Sequence, residues 1–505
     1  MFCAMAERKN VVKNSNTIQS LWVAMGSLAS FAFSIVSAAI LSRYFAKEDY
    51  GTYKQVMYVY HTLLTVFTLG LPKSYSYFLP RVTKEEGLSL VKKITNIFFI
   101  LGAIFSLFLF FASPLIADIL KNEELGTAIK IFSPVPLLML PTMGLESIYA
   151  TYRETYISAI YTVITRVLML VCVALPVICF NGDVKMALVG FTISSLLSFL
   201  IALYLKNRPF RHIEHKKCDV TYKSIFKFSL PLLYASIFGT IIASADQFFV
   251  SRYFGAAEFA EFSNGFMELP FVGMIIGACS TVLFPLFSKI EHESQDAKLE
   301  IIPIWCRVFD KTSKLVYPLL VFCWFMASDI MVFLYGDQYE VSGTYFRIKL
   351  VANIFTLIAY APLILAIGKT KSYANVHLIG ALVLIVLEFM SVLFVKSPYF
   401  VAAISVVCHI GRIVAMLVVI SRYFKVSLSQ LFPIKNIWKI LLPSAVIGCY
   451  IQFVTSATDN VVERLIVGAV LYVVLYCIWS YLAKIDYMEI LNPFVGAIRN
   501  KLSKK

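Results

Sequence analysis

Long apolar runs separated by short polar segments dominate the chain. A helix that crosses a bilayer needs about 20 apolar residues, and only helices satisfy their own backbone hydrogen bonds in a single apolar segment. The pattern therefore predicts fourteen membrane-spanning helices joined by short connections. They centre near residues 20–44, 54–78, 94–119, 128–150, 156–180, 186–205, 225–252, 260–287, 313–335, 344–367, 373–395, 398–421, 438–455 and 462–483.

Composition agrees with this pattern. The 505 residues are 59% hydrophobic and only 15% charged, and the mean hydropathy is +0.78. Soluble domains are about 45–50% apolar and about 25% charged. A soluble enzyme, a disordered chain and a secreted disulfide scaffold are excluded, and the expected fold is an all-α polytopic membrane protein.

The net charge of +15 reflects basic residues that lie mainly between the apolar runs. This distribution indicates topology and anionic lipid headgroups as the reason for the charge, and not nucleic acid. With a cytoplasmic N-terminus, about 32 of the 45 Lys and Arg residues fall on the cytoplasmic side and about 10 on the other. Both termini are therefore predicted to be cytoplasmic. The densest basic cluster joins spans six and seven and contains Lys206, Arg208, Arg211, Lys216, Lys217, Lys223 and Lys227.

An internal repeat divides the chain. Residues 41–53 read LSRYFAKEDYGTY and residues 250–262 read VSRYFGAAEFAEF. Both segments follow the first helix of a six-span block, so the blocks enter the membrane in the same direction, as in a parallel repeat. The predicted organisation is an N-lobe over 1–222, a C-lobe over 223–424, and two further spans with a basic tail over 425–505.

Several short motifs then carry a family resemblance. Residues 39–45 read AILSRYF, residues 48–53 read EDYGTY, residues 69–72 read LGLP and residues 334–339 read LYGDQY. Together with the fourteen-span pattern they resemble the polysaccharide transporter family of Wzx-type oligosaccharide flippases, within the MATE-like flippase (MOP) superfamily. The resemblance implies a bacterial inner-membrane transporter that moves undecaprenyl-pyrophosphate-linked oligosaccharide units, such as those of O-antigen, capsule or exopolysaccharide, to the periplasmic leaflet. Glycosyltransferases and a polysaccharide polymerase are the protein partners it suggests.

Ionisable side chains inside spans are costly, so each one usually faces a cavity or a partner. Lys54, Arg166 and Arg412 are the basic candidates, and the repeat places Ser263 and Leu382 opposite the first two. A pyrophosphate needs Lys or Arg donors. We therefore expect these three side chains to bind the lipid headgroup, whereas the repeat-related Arg43 and Arg252 are expected to be interfacial anchors.

The acidic candidates are Asp246, Glu268 and Glu388. A carboxylate in a span can bind H⁺ or Na⁺, or it can balance a basic neighbour. Both roles remain open for these residues. Glu388 is in addition a candidate partner of His409 and Arg412, which lie three residues apart and so share a helix face.

Two other function classes remain as alternatives: an ion-coupled multidrug exporter of the MATE type, with an acidic substrate cavity, and a membrane scaffold that transports nothing. An enzyme is not expected, because no catalytic motif and no loop large enough for a glycosyltransferase site is present. The ten cysteines lack metal-like spacing, so neither a metal nor a cofactor is predicted.

Overall fold

The structure is a computed structural model that describes residues 16–180, 182–211, 213–214, 216–358, 360–432, 434–485 and 487. Every regular element in these residues is a helix. The basic segment before residue 16 and the tail beyond residue 487, on which part of the orientation prediction rests, lie outside them. Residues 1–261 and 262–505 form two compact groups, which we call unit one and unit two. The boundaries predicted at 222 and 424 stay predictions.

Polar side chains cap several of the helices of unit one. Asn122 accepts a hydrogen bond from the Glu124 amide at 3.1 Å, and Asp183 accepts one from the Met186 amide at 3.0 Å. Such caps satisfy amides that have no partner in the first turn. The helices are α1 (Asn16–Tyr44), α2 (Lys47–Phe67), α3 (Pro72–Phe78), α4 (Lys84–Leu120), α5 (Glu123–Phe132), α6 (Val135–Met139), α7 (Leu145–Thr151), α8 (Thr155–Phe180), α9 (Val184–Asn207) and α10 (Tyr222–Gly265), the last of which runs across the unit boundary.

Unit two contains the remaining helices. Asn460 caps the last one by accepting from the Val462 amide at 2.9 Å. The helices are α11 (Pro270–Glu293), α12 (Ala297–Phe325), α13 (Ala327–Tyr335), α14 (Ser342–Thr356), α15 (Tyr360–Ala366), α16 (Thr370–Phe394), α17 (Pro398–Phe424), α18 (Leu428–Leu431), α19 (Ile434–Thr455) and α20 (Val461–Leu482).

The prediction of an all-α polytopic membrane protein is confirmed. In the described residues twelve helical segments have the length and apolar composition of a membrane span, or thirteen if α12 and α13, which meet at 75°, form one bent span. The count is lower than fourteen because α2 and α3 do not qualify. Lys47, Glu48, Asp49 and Lys54 lower the hydropathy of α2, and the chain breaks before α3 at Gly70, whose φ is +70°.

The two repeat segments break at corresponding positions. Helix α1 ends at Tyr44 and α2 begins at Lys47, and in the second copy α10 is interrupted at Gly255, with φ 88° and ψ 178°. That backbone conformation is essentially restricted to glycine. Inside unit one the segments pack together so closely that a Cβ on Gly51 would lie 1.9 Å from the carbonyl oxygen of Ala256. The pattern in the sequence therefore marks a real helix boundary in each copy.

Candidate functional site

Lys54 lies in α2, one turn after Tyr50, and its side chain is half-buried. Its Nζ atom is 5.2 Å from the centre of the Tyr50 ring. An aromatic face attracts a cation without neutralising it. In the part of the chain that the structure describes, no carboxylate forms an ion pair with Lys54. No described carboxylate therefore competes with an anionic ligand for this side chain.

Arg166 lies in α8 and is also half-buried. Its Nη1 atom is 3.9 Å from the Met169 sulfur, and the guanidinium lies within electrostatic range of His61 and Tyr161. None of these neighbours is an acid, and none of the ion pairs found over the described ranges includes Arg166. A guanidinium with five donors and no carboxylate partner can bind a phosphate in a forked geometry.

Two other cations of unit one are bound by the protein itself. Lys47, at the start of α2, pairs with the nearly buried Glu261 in α10. Arg252 donates a hydrogen bond to the carbonyl oxygen of Ile119. Beside them, Gln55 donates to Ser251 at 2.8 Å, and Asn122 donates to Gln55 at 2.6 Å. The Lys47–Glu261 pair joins the two repeat segments, and Lys54 differs from Lys47 and Arg252 in having no such partner among the described contacts.

Lys206 is a buried cation that the sequence analysis missed, because it was assigned to the basic connection between spans six and seven. It is 2% exposed, and its Nζ atom donates to the hydroxyls of Tyr75 at 3.1 Å and Thr95 at 3.3 Å. A signal was present in the spacing: Ser198, Ala202 and Lys206 are all buried on α9 and follow one another at intervals of four residues. That spacing keeps them on one helix face.

Arg412 lies in unit two and contacts His409 as the shared helix face predicts. The Nη2 atom is 3.3 Å from His409 Nδ1, and His409 Nε2 is 3.0 Å from the Thr356 hydroxyl. Because arginine only donates, Nδ1 is the acceptor in this contact. The arginine stem fills the space beside Gly380, where a Cβ would be 2.5 Å from Arg412 Cδ. Glu388 is fully buried in the neighbouring helix α16.

The other two acidic candidates have different surroundings. Asp246 is buried in α10, and its Oδ1 atom accepts the Gln247 amide at 2.7 Å. Glu268 lies in the short connection between α10 and α11, outside both helices, and its side chain is 59% exposed. Its carboxylate pairs with Lys349 at 3.4 Å, and Lys349 also lies 4.6 Å from the Phe266 ring. The charge-balancing role fits Glu268 better than ion coupling does.

Comparison with known proteins identifies a family for this chain. A model described as "Polysaccharide biosynthesis protein" matches residues 40–343. The chain is 21% identical over 386 residues to a putative O-antigen transporter of Shigella flexneri, covering 73% of this chain and 88% of the relative. It is 23% identical over 330 residues to the succinoglycan biosynthesis transport protein ExoT of Rhizobium meliloti, covering 63% of this chain and 62% of the relative.

A solved structure supports the fold. The lipid II flippase MurJ in an inward closed conformation superimposes with a TM-score of 0.71 at 18% identity, covering 94% of this chain and 99% of the other. At this identity the likeness concerns the fold alone. It agrees with the resemblance to MATE-like flippases found in the sequence.

Proposed function

Because the chain belongs to the polysaccharide biosynthesis protein family, we propose that it is a flippase for undecaprenyl-pyrophosphate-linked oligosaccharides. The substrate would move from the cytoplasmic to the periplasmic leaflet of the bacterial inner membrane, by alternating access and with both termini in the cytoplasm. The names of the two transport relatives and the excess of predicted cytoplasmic Lys and Arg support this proposal. Under this proposal the protein is a transporter and not an enzyme.

The proposal rests on two half-buried cations, Lys54 and Arg166. Lys206 also has no acidic partner among the described residues, but its side chain is bonded to the Tyr75 and Thr95 hydroxyls. Lys54 and Arg166 lie in helices of unit one, and no described carboxylate neutralises either one. Holding an unpaired charge away from water costs several kcal/mol, so such charges usually serve a ligand or a path. A pyrophosphate is the anionic part of the proposed substrate, and Lys and Arg are the side chains that bind phosphate oxygens.

The driving force follows from the charge of that substrate. A membrane potential that is negative inside favours outward movement of an anion by about 2.3 kcal/mol per charge per 100 mV. Headgroup export can therefore proceed without a coupling ion when no compensating charge moves. Roles for Asp246 and Glu388 in H⁺ or Na⁺ coupling, and a role for Arg412 in headgroup binding, remain predictions.

The multidrug exporter remains the alternative, and it requires an acidic site for a cationic drug. Glu268, one of the three acidic candidates, is already paired with Lys349. The description of the matching family names polysaccharide biosynthesis and not drug export. We therefore favour the lipid-linked glycan.

The test reconstitutes the purified protein in liposomes that contain the lipid-linked oligosaccharide of the producing cells. Flipping is followed by the accessibility of the glycan to an added lectin, with and without a membrane potential. We expect protein-dependent flipping that Lys54→Gln and Arg166→Gln each reduce by about 10-fold or more, since a hydrogen bond to a charged group contributes about 1.5–3 kcal/mol. The matched control is Lys289→Gln, which removes a cation that is 68% exposed.

Two results would contradict the proposal. No protein-dependent flipping under a potential or an ion gradient would exclude the flippase and leave the multidrug exporter and the scaffold. Flipping that is equally fast in the parent, Lys54→Gln and Arg166→Gln would separate these cations from the headgroup.

A further inference from the structure

A polar pocket of about 380 Å³ lies between α1 and α8 in unit one, beside the start of α7. Small-molecule sites have volumes of roughly 300–1,000 Å³. Hydroxyl groups and one carboxylate account for its polar character. The polar lining residues are Ser27, Ser30, Ser34, Glu146, Ser158 and Thr162, and Phe31 supplies an aromatic wall.

The two long helices are fixed against each other at one end of this pocket. The Gln19 side chain donates to the Arg153 carbonyl at 2.8 Å and accepts from the Thr155 amide at 2.9 Å. Further along, Gly26 lies against Ala159, where a Cβ on the glycine would be 3.3 Å from Ala159 Cα. The contacts advance in the same direction on both helices, so α1 and α8 are parallel here. The pocket is thus built on a braced pair of helices.

The pocket presents hydrogen-bond acceptors. Ser34, Ser158 and Thr162 each donate their hydroxyl hydrogen to a carbonyl oxygen of their own helix, at 2.8–2.9 Å. A hydroxyl has one hydrogen, so only its lone pairs remain for a ligand. Glu146 adds a carboxylate, and over the described residues it forms no ion pair. The matching ligand is rich in O–H donors or is a cation.

The size of the pocket and its position beside Arg166 favour a ligand rich in O–H donors over a cation. A water molecule occupies about 30 Å³ of liquid, so a bare monovalent cation would leave most of the pocket unused. A sugar ring supplies several O–H donors and an apolar C–H face for Phe31. In addition, Arg166 follows Thr162 by four residues on α8, which places it on the same face about 6 Å further along the helix axis.

We propose that this pocket is a glycan subsite that binds the sugar attached to the pyrophosphate, with the phosphate on Arg166. The inference rests on the proposed function, because in a polyprenyl-pyrophosphate-linked glycan one bond joins the sugar to the phosphate. Glu146 and the hydroxyl of Thr162 accept hydrogen bonds from the sugar. The site therefore distinguishes a glycosylated lipid from one that carries no sugar.

The test measures binding of two probes to the full-length protein in detergent: undecaprenyl pyrophosphate, and the same lipid carrying the oligosaccharide of the producing cells. We expect Glu146→Gln and Thr162→Val to weaken binding of the glycosylated lipid at least tenfold and that of the sugar-free lipid less than threefold. Arg166→Gln should weaken binding of both. Thr165→Val is the matched control, since Thr165 lies on α8 outside the pocket lining and also bonds to its own helix.

Other outcomes overturn the inference in distinguishable ways. Pocket variants that bind both lipids like the parent, or that lose both equally, contradict a glycan subsite. A Na⁺-dependent rise in thermal stability that Glu146→Gln abolishes, without a change in glycan affinity, identifies a cation site instead. If the parent binds neither lipid, the proposed function itself fails.

Discussion

Gly190 provides a direct test of how unit one is packed. It is buried in α9, and a Cβ at this position would lie 2.0 Å from the carbonyl oxygen of Cys172 and 2.8 Å from the carbonyl carbon, both in α8. The obstacle is the backbone of another helix, so no side-chain rotation can relieve it. Small residues permit such close approaches between membrane helices. Gly190→Ala should therefore push α8 and α9 apart.

The magnitude follows from comparison with a second glycine. Gly239 lies in α10, and a Cβ there would meet no heavy atom within 4 Å. Replacing glycine by alanine inside a helix stabilises it by about 1 kcal/mol through helix propensity, and both variants share this gain. Overpacking costs typically about 1–3 kcal/mol, and only Gly190→Ala pays it. The difference between the two variants isolates the clash.

The assay is thermal unfolding of both variants and the parent in the same detergent and at the same heating rate. At about 2–4 °C per kcal/mol for a domain of 150–250 residues, a cost of about 1–3 kcal/mol should make Gly190→Ala melt roughly 2–12 °C below Gly239→Ala. Equal midpoints would mean that α8 and α9 do not approach at Gly190 as closely as the structure has them.

Two further experiments probe the charged groups. Asp329 and Arg464 pair at 3.2 Å and join α13 to α20. A double-mutant cycle with Asp329→Asn and Arg464→Gln, measured by unfolding in detergent, should therefore give a coupling energy of about 1–2 kcal/mol. Purely additive effects of the two substitutions would contradict the pair. Lys206→Met should melt at or above the parent temperature, because it removes a buried charge while the Tyr75 and Thr95 hydroxyls stay bonded to each other at 3.0 Å. A midpoint several degrees lower would show instead that the ammonium group stabilises unit one.

From the sequence, most of the candidate site could be predicted only as a set of residue types, without their contacts. The sequence indicated that Lys54 and Arg166 are charged groups inside apolar segments, and the spacing of His409 and Arg412 predicted their contact. The spacing could not say which cations are neutralised. Lys349, which pairs with Glu268, and Lys47, which pairs with Glu261, lie 81 and 214 residues from their partners.

The amino-acid sequence by itself determined the helical, membrane-embedded character of the chain and the position of most helices. The reason is local: a long apolar segment in hydrocarbon must satisfy its own backbone, and only a helix does so within one segment. The local sequence pattern also predicted the helix boundaries of the repeat, near Phe45 and Gly255. Tertiary structure alone decided that the Lys206 side chain meets the Tyr75 and Thr95 hydroxyls, and that hydroxyls of α1 and α8 meet Glu146 around one pocket. Those outcomes depend on which helix faces come together, and that is set by packing between segments far apart in the chain.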